Sequence, residues 1–96
     1  MTYWRRLQRR IHVMREPKFE SVREMMLAMM STTLTQIVAT NARADELVQA
    51  AHESADPSLA AAMQDHGRRY RIEVLELQGR LATLSGDYTR RFHAEI

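Results

Sequence analysis

The dipeptide Asp56-Pro57 constrains this chain more than any other feature, because it separates two long runs of helical apolar periodicity. An aspartate at that place caps a helix: its side-chain oxygen accepts from the free amides of the first turn. Proline suits the first helical position, where its missing N–H costs nothing and its φ is already set. The same ring biases Asp56 away from helical backbone, so the preceding helix must stop there. A hinge of about 54–58 that ends one helix and starts the next predicts an antiparallel helical hairpin over residues 18–96.

The first long helix is expected over 18–53. Its stripe runs Phe19, Val22, Met26, Met29, Thr33, Ile37, Thr40, Ala44, Leu47 and Ala51. Spacings of three and four are the seam of helices packed at a shallow angle. The second helix is expected over 57–84, with Leu59, Met63, Tyr70, Val74, Leu77, Leu81 and Leu84 on the seam. Ser85-Gly86-Asp87 predicts a break or kink, after which Tyr88, Phe92 and Ile96 resume the pattern, either as a third short helix or as a continuation of the second to about residue 95. Gly67 and Gly79 each cost about 1 kcal/mol in a helix interior. Either a neighbouring helix approaches closely there, or the sites are solvated.

Each helix also carries apolar residues beside its seam: Met25, Met30, Leu34 and Val38 on the first, Ile72 and Leu75 on the second. A two-helix hairpin has one mutual interface, so a second flank predicts further partners. With 96 residues and no cysteine, the chain has no disulfide to support a small core. The expected fold is therefore all-α, a hairpin completed as a bundle by oligomerisation. The partner is the chain itself, another protein, or both.

Residues 1–17 read as a basic amphipathic arm. Trp4, Leu7, Ile11 and Met14 form one stripe, with Arg5, Arg6, Arg9 and Arg10 on the other faces and Pro17 closing the element. The net charge is +2, but residues 1–18 hold six basic groups against Glu16, a net of +5 that leaves −3 on the remainder. Such an arm fits a membrane surface or nucleic acid phosphates. Docking of its stripe on the hairpin, with solvated arginines, is the favoured expectation.

No enzyme chemistry is flagged. Carboxylate-bridged metal in a helical bundle needs a Glu-x-x-His pair, and no glutamate has a histidine three residues later. His12, His52, His66 and His93 are scattered over four segments. There is no nucleophile motif and no phosphate-cradling glycine loop. The three arginines around Tyr70 suit a solvated face better than a phosphate site. The expectation is a non-enzyme without metal or cofactor. No run approaches the roughly 20 apolar residues that span a bilayer.

The segment from Ala50 to Gln64, with Tyr70, resembles the turn region of type III secretion needle and inner-rod subunits. Asp56, Pro57, Leu59, Ala61, Gln64 and Tyr70 fall at the matching places, and Glu76-Leu77 and Arg80-Leu81-Ala82 are similar to an inner-rod run. The resemblance implies a structural subunit of a bacterial secretion apparatus, placed in the cytoplasm or in the assembly without a cleaved signal. The same half is also similar to part of a ferritin-like family of unknown function, through Ala50-Ala51, Asp56-Pro57, Leu59, Glu76-Leu77 and Leu84-Ser85-Gly86. That likeness implies a metal-free homo-oligomeric bundle. Small toxin-immunity hairpins share the Asp-Pro hinge, which implies a partner-binding adaptor.

Overall fold

The computed structural model describes residues 21–92, which form two helices, α1 over Val22–Glu53 and α2 over Pro57–Phe92, packed against each other as a hairpin. The basic arm, with Arg5, Arg6, Arg9 and Arg10, lies outside the described residues, as do Phe19 and Ile96.

Residue 18 is not the start of α1. Ser21 is extended, with φ −153° and ψ 160°, and its hydroxyl accepts from the Glu24 amide at 3.2 Å. Ser21-Val22-Arg23-Glu24 has the spacing of a capping box, a signal legible in the sequence and passed over by the apolar stripe. At the other end Ser54 stops the helix, donating its N–H to the Ala51 carbonyl at 3.3 Å. The Ser54 hydroxyl accepts from the Asp56 amide at 3.2 Å. Asp56 Oδ1 then accepts from the amides of Ser58 at 3.0 Å and Leu59 at 3.4 Å, capping α2 with Pro57 as its first residue. The hinge turns without any left-handed residue. His52 lies in the last turn of α1, and Arg90 and Arg91 lie in the last turn of α2, where the arginines' positive charge complements the carbonyl end of the helix dipole.

The core is a single seam. Met26, Thr33, Ile37, Thr40, Ala44 and Ala51 are buried on α1, and Gly67, Val74 and Leu77 on α2, with Leu81 packed beside Ile37, Val74 and Leu77. Near the open end the seam differs from the expected stripe by one position. Counting back from Ile37 by four, three and four gives Thr33, Met30 and Met26. Met30 is thus half-buried, while Met29 is 47% exposed. Val22 and Leu59, also expected on the seam, lie in the first turns of their helices, and both are exposed. The buried Thr33 hydroxyl donates to the Met29 carbonyl of its own helix at 2.8 Å, so it enters the seam without needing a partner across it.

The expected break at Ser85-Gly86-Asp87 does not occur, and α2 continues to Phe92. Gly86 weakens the helix, but its neighbours tie the turn down. Thr89 donates to the Ser85 carbonyl at 2.9 Å, Asp87 pairs with Arg90, and the rings of Tyr88 and Phe92 lie 5.0 Å apart. The two internal glycines divide between the two explanations. A Cβ on Gly67 would stand 3.5 Å from Val48 and 3.6 Å from the Ala44 carbonyl, so α1 does come close. Gly79 has no atom within 4 Å of that position.

Candidate interaction surface

Four of the exposed apolar residues beside the seam immediately follow a seam residue. Leu27 follows Met26, Leu34 follows Thr33, Val38 follows Ile37, and on α2 Leu75 follows Val74. One step along a helix turns a side chain by about 100°. In an antiparallel pair the same step on each helix leads to the same side of the two-helix layer. The ion pair of Asp45 and Arg71 at 3.1 Å makes this concrete, since Asp45 follows Ala44 and Arg71 follows Tyr70. Leu27, Leu34, Val38 and Leu75 therefore share one face, and Leu34, Val38 and Leu75 are 53%, 65% and 65% exposed. Ile72, 55% exposed, lies at its outer edge on α2.

The opposite face is built from residues that precede the seam, and it is charged. Gln36, Arg43, Glu73, Glu76 and Arg80 line a groove of about 340 Å³ there. Only near the open end does this side become apolar, where Met25 and Met29 are exposed and Met29 borders a shallow cleft with Thr32 and Leu84. The layer is thus two-faced in charge, a contrast set by which neighbour of each seam residue is apolar.

Of the residues singled out beside the seam, the structure brings Leu34, Val38 and Leu75 onto the common face, with Ile72 at its edge. Met25 belongs to the other side, and Met30 is drawn into the seam. Leu27 was not singled out, although it has the same step-after-seam position.

The chemistry of the described surface is spare. Among the described residues no three His, Cys, Asp or Glu side chains are grouped to hold a metal ion. His52 and His66 are both exposed. No described helix is long and apolar enough to cross a membrane. No family model, curated protein or solved structure matches the chain.

Proposed function

We propose that this chain is a non-enzymatic helical assembly protein, working by burial of its apolar face against other helices. The observation that carries this reading is the contrast between the two sides of the hairpin, with Leu27, Leu34, Val38 and Leu75 on one and Gln36, Arg43, Glu73, Glu76 and Arg80 on the other. Full burial of one large apolar side chain is worth about 1.5–3 kcal/mol. These residues are partly covered already, yet together they supply a driving force for association.

The concentration of exposed apolar residues on one face also favours a closed assembly over an open one. A filament of the needle or rod kind needs two different complementary patches on each subunit, whereas a closed dimer uses the same patch twice. The metal-free bundle is accordingly the better supported form, and the secretion-subunit form predicts filaments.

Size-exclusion chromatography with light scattering tests the reading, using wild type and Ile72→Glu with Leu75→Glu. Wild type is expected to be larger than a monomer, and the double variant a smaller species with unchanged helical circular dichroism. A wild type that is monomeric at high micromolar concentration overturns it, as does a double variant of unaltered size.

A further inference from the structure

We infer that the apolar face is closed by a second copy of the chain running antiparallel, its hinge beside the open end of the first. The inference rests on the assembly reading above and adds the partner, its direction and its register.

Charge distribution sets the direction. Residues 44–67, which form the hinge end, contain Asp45, Glu46, Glu53, Asp56 and Asp65 and no lysine or arginine. The other end, where Ser21 leads into α1, carries the opposite sign among the described residues. That end is basic, with Arg23, Arg90 and Arg91 against Glu24 and Asp87. The 32 residues of α1 place the two ends about 48 Å apart, far beyond a screening length of about 8–10 Å. Two copies with their hinges together would crowd both acidic ends. The antiparallel arrangement separates them and sets each beside the basic open end of the other copy.

Side-chain size sets the register. The outer stripe of α2 runs Arg68, Ile72, Leu75, Gly79, Ala82 and Gly86, bulky in its first half and small in its second. Reversed against itself about the level of Leu77, it brings Leu75 to the partner copy's position 79 and Ile72 to its position 82. A Cβ on Gly79 or Gly86 meets nothing within the hairpin, so the space above both is available to a neighbour. On α1, packing of Ile37 with Val74 and Leu77, and of Ala44 with Gly67, places Leu34 level with Leu77. The two-fold axis then passes beside Leu34, so Leu34 meets its own counterpart and Leu27 lies near position 41 of the other copy.

The chain has no cysteine, so introduced thiols report the register without background. Leu34→Cys alone should oxidise to a covalent dimer of twice the 11.2 kDa chain mass. Leu27→Cys alone should not, but should crosslink when mixed with Asn41→Cys. Raising the salt concentration should loosen the wild-type dimer, as the charges that direct it are exposed. An oligomer in which Leu27→Cys crosslinks to itself as readily as Leu34→Cys overturns the antiparallel register while leaving the assembly reading intact. Filaments or a species larger than a dimer do the same. A monomeric wild type overturns both.

Discussion

Arg23, at the start of α1, donates from Nε to the hydroxyl of Tyr88 near the end of α2 at 2.8 Å, and its guanidinium carbon lies 5.9 Å from the centre of the same ring. One side chain thus ties the open end twice, by a hydrogen bond and by cation–π attraction. Tyr88→Phe removes the first and keeps most of the second. The pair is exposed, so the cost should fall at the low end of the about 0.5–1.5 kcal/mol of an ordinary hydrogen bond. Tyr88→Ala also removes the contact with Phe92, and amide exchange over 85–92 should then rise while exchange near the hinge stays unchanged.

Asp56→Ala should destabilise the hairpin by about 1 kcal/mol, because two first-turn amides lose their acceptor. A denaturant melt would show a lower midpoint at constant slope. An unchanged midpoint would mean that the Ser54 hydroxyl organises the hinge without the carboxylate.

Ile37→Ala should cost about 2–5 kcal/mol, the range for deleting a buried branched side chain. Ile37 lies in the cluster with Val74 and Leu77, and only 7% of it is exposed. A thermal melt measured beside Val38→Ala, one residue further along and exposed, separates loss of the core from the helix propensity that alanine adds.

Gly67→Ala should be tolerated or mildly stabilising, by up to about 1 kcal/mol of helix propensity. The nearest atoms to the new methyl, at 3.5–3.8 Å, are in ordinary contact. Gly67→Leu should be destabilising, since the longer side chain must push α1 away at Ala44 and Val48. Chemical denaturation of the two variants decides whether the close approach has room for one carbon or for none.

The hinge was legible because its chemistry is local: Asp56, Pro57 and Ser54 act within five residues, and their roles follow from type and spacing. The seam was legible in its middle, where Thr33, Ile37, Thr40 and Ala44 alternate by four and three. It slipped at Met29 and Met30, two identical side chains at adjacent positions, between which only the opposite helix can choose. Ser85-Gly86-Asp87 has the composition of a break, and the pairs that span it, Thr89 with Ser85, Asp87 with Arg90 and Tyr88 with Phe92, are three or four residues apart, a helical spacing that composition alone passes over. The shared face of Leu34, Val38 and Leu75 needed the antiparallel pairing itself, because each helix alone shows only residues beside its seam.

The contacts of the seam also impose an order on its formation. Ala44 and Gly67 are joined by a short length of chain around the hinge, Ile37 and Val74 by a longer one, and Arg23 and Tyr88 by nearly all of the described residues. Loop closure costs more as the loop lengthens, so each contact made near the hinge lowers the entropic cost of the next. The hairpin should therefore close like a zipper from Asp56 outward, and its folding rate should respond to Ala44 more than to Met26. The open end is the last to seal and the first to part.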